Sequence, residues 1–214
     1  SRRVQLLNWA SGKEGRYIIE DDYDSEFRYV GKPIPSLQGM DQRERVIYIS
    51  TFSKSLMPSL RIAYFVLPMH LLQAYRHTFP YYSSTVPRLD QHVLAQFMQD
   101  GYFSKHLNRM RKLYRKKLEE LTRVLEDYKP TVLISGEQAG MHIVLTVDSE
   151  STDCELVEIA KQADIRVYAL SEYHQSAETI YSKPQLLIGF GGFVEEEIEP
   201  AVEALMNAWN IKKP

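Results

Sequence analysis

The sequence predicts an α/β architecture in its first hundred residues, followed by a smaller α+β domain. Three observations predict it. Residues 17–19, 46–51 and 62–67 form three apolar or β-branched runs, whose continuous hydrophobicity suits strands buried on both faces. A single helical periodicity then holds from residue 103 to 128. Beyond it, strand-like and helix-like segments alternate to the end of the chain.

The first strand, 17–19, runs directly into acidic residues. The second, 46–51, is almost entirely apolar or β-branched, and the third, 62–67, stops at Pro68. Helices are expected at 71–79 and 89–99. Gly101 then interrupts the chain before the long helix, and we divide the domains there, into 1–100 and 101–214. In the long helix Phe103, Leu107, Met110, Tyr114, Leu118, Leu121 and Leu125 recur at spacings of three and four, which gives one apolar stripe. Its other face carries Lys105, Arg109, Arg111, Lys112, Arg115, Lys116 and Lys117. Glu119, Glu120, Glu126 and Asp127 follow at once, so this is read as a solvated face rather than a nucleic-acid surface. Strands are expected at 131–134, 141–147, 166–170 and 186–190, with helices at 154–163 and 195–209.

Composition excludes several classes. The 214 residues are 44% apolar and 25% charged, an ordinary globular balance that argues against disorder. A net charge of −2 gives this segment no electrostatic reason to bind nucleic acid. Cys154 is the single cysteine, which rules out a disulfide framework and a thiolate metal site and makes a reducing cytoplasm the simplest compartment. The longest apolar run, 62–67, falls far short of the roughly 20 residues that a membrane helix needs. The chain opens on Ser1-Arg2-Arg3 and an amphipathic stretch, with neither an initiator Met nor a signal peptide, and reads as starting in the middle of a fold.

Two clusters carry chemistry. In Glu20-Asp21-Asp22-Tyr23-Asp24-Ser25-Glu26, strand alternation points Asp21 and Tyr23 one way and Asp22 the other. An acid and a phenol on one face at a strand end suit a heteroaromatic ring. Taken alone, the run also fits an acidic surface turn, or a divalent-metal site of Asp21, Asp22 and Asp24. The second cluster is Ser50-Thr51-Phe52-Ser53-Lys54-Ser55, with Arg61 opening the next strand. Lys forms an imine with an aldehyde, and Arg holds a phosphate by two parallel hydrogen bonds, to which the Thr51 and Ser53 hydroxyls add neutral donors. A nucleotide-phosphate loop is the competing reading, but the Gly-rich pattern that it requires is absent. Together the clusters match every polar corner of pyridoxal 5'-phosphate (PLP). Asp21 would keep the pyridine nitrogen protonated, Tyr23 would bond the ring oxygen, Lys54 the aldehyde carbon, and Arg61 the phosphate.

The stretches from Tyr17 to Phe27 and from Thr51 to Leu56, with Ala139-Gly140-Met141-His142, resemble fold-type I PLP-dependent aminotransferases. The form Asp-Asp-Tyr-Asp-Ser-Glu-Phe is most similar to the C-terminal effector domain of MocR/GabR-type bacterial transcriptional regulators. The resemblance implies that 1–100 is a remnant of the aminotransferase large domain and that 101–214 is the small domain. It also implies the same cofactor roles for Asp21, Tyr23, Lys54 and Arg61, a homodimer, and DNA binding only through a winged helix-turn-helix absent from this chain. An amino compound would be sensed through a Schiff base at Lys54. Many relatives place a carboxylate-clamping Arg after Gly-Phe-Ala, where this chain has Gly189-Phe190-Gly191-Gly192-Phe193 and so Gly192 at the matching position. That departure puts turnover in doubt. A working aminotransferase is the second reading, and a dimerisation module without cofactor the third.

Overall fold

The computed structural model describes residues 1–31, 34–174 and 182–214. They form two compact units, one of Ser1–Glu26 with Gly31–Leu107 and one of Phe27–Val30 with Asn108–Pro214. Among the described residues no helix is long and apolar enough to cross a membrane.

The first unit is built on a three-stranded sheet of β1 (Ile18–Asp22), β2 (Val46–Thr51) and β3 (Ala63–Val66), in the order β1-β2-β3. β1 runs parallel to β2, and β3 antiparallel to it, so the ends of β1 and β2 and the start of β3 lie at the same end of the sheet. Around it stand α1 (Arg2–Ser11), the single turn α2 (Leu37–Met40), α3 (Met69–Thr78) and α4 (Arg88–Gln99). The Glu20 carboxylate fixes α2 by accepting from the amides of Leu37 and Gln38 at 2.7 and 2.9 Å, while Arg3 meets it at 3.3 Å. Orphan amides at a helix start are satisfied this way.

The strand positions follow the apolar runs, but the expectation of burial on both faces fails. All four residues of β3 are exposed, with Phe65 51% and Val66 41% accessible, and β1 alternates between half-buried and exposed. Hydrophobicity reports a tendency to be covered, and the described residues lay only scattered side chains over β3, such as Tyr75 against Phe65 at 5.8 Å.

Gly101, at φ +77°, closes α4 in the left-handed conformation that glycine adopts freely, and α5 (Tyr102–Glu126) starts immediately after it. From Asn108 onward α5 belongs to the second unit. That unit holds the antiparallel sheet β4 (Val132–Ser135), β5 (His142–Val147), β6 (Tyr168–Ala169) and β7 (Gln185–Gly189), ordered β4-β5-β7-β6, with α6 (Asp153–Gln162) and α7 (Glu195–Ala208). The expected strand over 166–170 is shorter, because the chain turns into a 3₁₀ helix at Leu170–Tyr173.

Period-two burial puts Ile143, Leu145 and Val147 of β5 in the core, where they meet Leu118, Leu121 and Leu125 of α5 and Ile198, Val202 and Met206 of α7. The apolar stripe read on α5 is thus its packed face. Lys117, read above with the charged face, projects instead to the edge of the stripe beside Met110 and Tyr114 and is buried with it. It is 7% exposed, and its Nζ donates to the Gly191 carbonyl at 3.0 Å. Phe27–Val30 is drawn into this unit by an antiparallel bridge, with Gly140 N donating to Phe27 O at 2.8 Å and Tyr29 N to Gln138 O at 3.0 Å.

Candidate functional site

The site assembles at the end of the first unit's sheet where β1 and β2 finish and β3 begins. The register pairs Asp21 with Ile49, Ile49 with Phe65, and Thr51 with Ala63, so these residues share one face. Glu20, Asp22, Tyr48, Ser50 and Tyr64 share the other. β1 ends at Asp22, yet the alternation of exposure continues past it, and Asp21 and Tyr23 are both exposed. The two faces differ in how their polar groups are used. The Asp22 carboxylate accepts from the Tyr48 hydroxyl at 2.8 Å and from the Ser25 amide at 3.3 Å, which pins the bend carrying Tyr23. Asp21 has no hydrogen bond or ion pair among the described residues.

The lysine turn is ordered by hydroxyls. Phe52 N donates to Ile62 O at 3.0 Å and Leu56 N to Phe52 O at 2.8 Å, which closes the chain around Lys54. Thr51 Oγ1 lies 3.0 Å from both Ile62 O and Ser53 Oγ, and it accepts from Ser53 N at 3.1 Å. A hydroxyl has one proton, so Thr51 serves one acceptor at a time, and when it donates to Ser53 Oγ the Ser53 proton is open to an outside acceptor. Lys54 and Arg61 are exposed and, like Asp21, have no ion pair or hydrogen bond among the described residues. Arg61 sits in the left-handed region at φ 51°, between the 3₁₀ turn Pro58–Leu60 and β3. A non-glycine residue there is strained by about 1–3 kcal/mol, and such strain gathers at functional positions. Ser55, beside Lys54, is 1% exposed, and its Oγ has no partner.

One carboxylate, one ammonium, one guanidinium and a free hydroxyl proton thus stand uncommitted at one sheet end. That donor set matches a ring nitrogen, an aldehyde and a phosphate. Two surface hollows lie elsewhere: one of about 440 Å³ is lined by α1 and residues 40–43, and one of about 360 Å³ by α6 and residues 164–168. They contain none of these residues.

Two further features bear on the site, the first without a signal in the sequence and the second already marked there by Gly191 and Gly192. Burial and then the neighbouring Asp22 carboxylate push the Tyr48 phenol well above its ordinary value. A phenol that ionises later in the folded state than in the unfolded one contributes stability at low and neutral pH, and that contribution is lost as pH climbs through the elevated value. Tyr48→Phe should therefore lower stability by about 1–2 kcal/mol at neutral pH, because it strips a donor from Asp22. Above the ordinary phenol value of 10.0, wild-type stability should fall more steeply than the variant's. Urea unfolding from pH 7 to 11 checks both, and parallel curves would show that Tyr48 does not titrate with unfolding. The second feature is the turn at Gly191 and Gly192. An added Cβ on Gly192 would meet nothing within 4 Å, whereas Gly191 packs against Met141 and Tyr114 and its carbonyl is held by Lys117.

Comparison with known proteins places this geometry in context. The pattern of the family described as aminotransferase class I and II matches residues 13–205. The uncharacterized HTH-type transcriptional regulator YdeL of Bacillus subtilis is 44% identical over 218 residues, covering 99% of this chain and 45% of that protein. The probable rhizopine catabolism regulatory protein MocR of Rhizobium meliloti is 33% identical over 210 residues, covering 97% of this chain and 41% of that one. The chain thus spans less than half the length of these relatives. Among solved structures, Pyrococcus horikoshii kynurenine aminotransferase, in complex with PMP, superposes with a TM-score of 0.84 at 25% identity, over 98% of this chain and 51% of that one.

Proposed function

The chain belongs to the aminotransferase class I and II family, and from that membership we propose that its first unit holds PLP as the effector domain of a MocR/GabR-type regulator. The observation that carries the cofactor assignment is the set of uncommitted charges, Asp21, Lys54 and Arg61, at one end of one sheet. Asp21 holds a proton on the ring nitrogen by opposite charge, and Tyr23 bonds the ring oxygen. Lys54 would hold the cofactor at its aldehyde carbon, and Arg61 and Ser53 would receive the phosphate, joined by Thr51 if its hydroxyl turns from Ile62 O and Ser53. The cofactor, when bound, supplies an electron sink for an amino compound.

The regulator reading rests on the relatives that match along nearly the whole chain. The 44% identity to an HTH-type regulator exceeds the 25% identity to the kynurenine aminotransferase structure. On this reading residues 1–100 are part of the large cofactor domain and 101–214 are the small domain. The protein works as a cytoplasmic homodimer, and DNA is bound by a winged helix-turn-helix elsewhere in the protein. An amino compound shifts a pre-existing equilibrium rather than being turned over. Turnover as an aminotransferase is the second reading, supported by the fold likeness.

The test uses the full-length protein loaded with PLP and reduced with borohydride. The expected result is one cofactor-labelled peptide carrying the label on Lys54, and a label on another lysine would overturn the assignment. A panel of simple α-amino acids then separates the two readings. The regulator reading expects a change in cofactor absorbance with little keto acid released, because Gly192 offers no side-chain cation for a carboxylate. Rapid, stoichiometric keto acid would promote the enzyme.

A further inference from the structure

His106 lies on the second turn of α5, with its Nε2 3.0 Å from the Ser55 carbonyl oxygen. A carbonyl oxygen only accepts, so the ring carries a hydrogen on Nε2, whatever the state of Nδ1. One turn earlier on the same helix, Phe103 meets Phe52 edge-on, with ring centroids 6.0 Å apart. The start of α5 therefore touches the lysine turn on both sides of Lys54, through an aromatic contact before it and a hydrogen bond just after it. Among the described residues, the downstream side has no other side-chain hydrogen bond. Ser55 Oγ is sealed from solvent without a partner, and Lys54 makes no bond among the described residues. Upstream the turn is held by Thr51, and downstream by His106.

We propose that His106 is a positioning residue: it ties the Ser55–Leu56 peptide, the one just after Lys54, to the start of α5, so that what happens at Lys54 is felt in the first turns of that helix. The inference rests on Lys54 being the cofactor lysine. A covalent load on Lys54 pulls on a backbone whose next carbonyl is anchored to a helix, and the first turns of a helix are its least stable part. Removing the donor uncouples the two without touching the reacting nitrogen.

The experiment is hydrogen exchange on the full-length protein, comparing wild type with His106→Leu, which keeps bulk and loses the donor, and His106→Gln, which keeps an N–H donor. In the cofactor-free protein the Leu56 amide, bonded to Phe52 O, should exchange roughly fivefold faster in His106→Leu, as the loss of one net hydrogen bond predicts. His106→Gln should stay close to wild type. On PLP loading, residues 102–107 should gain protection in wild type and His106→Gln but not in His106→Leu. If His106→Leu does not fold, His106→Asn, whose shorter amide cannot reach, takes its place. Equal Leu56 exchange in all variants would overturn the positioning role. Unchanged protection at 102–107 in wild type that is borohydride-labelled on Lys54 would overturn the coupling. If wild type takes no label on Lys54, the cofactor reading falls, while the Leu56 comparison still decides the positioning.

Discussion

Asp21→Asn is expected to weaken PLP binding roughly 10- to 1,000-fold, the range that an opposite charge contributes to a protonated ring when it shifts the ring's pKa by about one to three units. Asn keeps the size of the side chain and offers no net charge. Because Asp21 is exposed and has no partner among the described residues, the folded protein should lose almost nothing when it changes. Asp22→Asn should behave in the opposite way. Its carboxylate receives the Tyr48 hydroxyl and the Ser25 amide, so the variant should lose about 1–3 kcal/mol of stability. Its effect on cofactor affinity should be indirect and smaller. Absorbance titration with PLP, run beside thermal unfolding, reads both quantities. Equal affinity losses in the two variants, or a larger stability loss in Asp21→Asn, would mean that the two faces of β1 are not divided between binding and support.

Lys117→Ala should destabilise the second unit by about 3–5 kcal/mol. The side chain is almost wholly buried, so truncation removes stem methylenes worth about 0.8 kcal/mol each and a hydrogen bond from a charged donor worth about 1.5–3 kcal/mol. It also empties the space beside the Tyr114 ring, over which Nζ lies at 5.5 Å. Lys117→Met keeps the stem. It loses the bond to Gly191 but also relieves the desolvation of a buried ammonium, so its cost should stay under about 1.5 kcal/mol. Chemical denaturation of the three proteins compares these values directly. If Met costs as much as Ala, the hydrogen bond to the Gly191 carbonyl, and not packing, is what Lys117 contributes. In either case the glycine turn before α7 should exchange its amides faster without the lysine.

Lys117 also marks a limit of sequence reading. On a helical projection it lies at the edge of the apolar stripe, three positions from Tyr114 and four from Leu121, which accounts for a covered stem but not for the partner of its amine. The turn between β7 and α7, 74 positions away, determines that its amine is covered. His106 is similar: its acceptor is 51 positions distant and is a backbone carbonyl, which leaves no mark on composition or spacing. Tyr48 was readable as a strand residue, but its bond to Asp22 depends on β1 and β2 pairing in one particular parallel register. Burial of β3 was misjudged because an apolar run says that a surface prefers to be covered, not what covers it.

The sequence by itself determined the order and kind of the main elements and set two groups of polar side chains at the strand ends. Helix and strand periods, glycine stops and the spacing of Asp21, Tyr23, Lys54 and Arg61 are local properties, set by backbone geometry within a few residues. Only the tertiary structure decided that Asp22 is a strut for Tyr48, and which carbonyl receives the amine of Lys117. It also showed which histidine holds the Lys54 turn. Those outcomes depend on partners brought close by strand register and helix packing. The interaction of two side chains depends on their distance in space, and separation along the chain does not encode it.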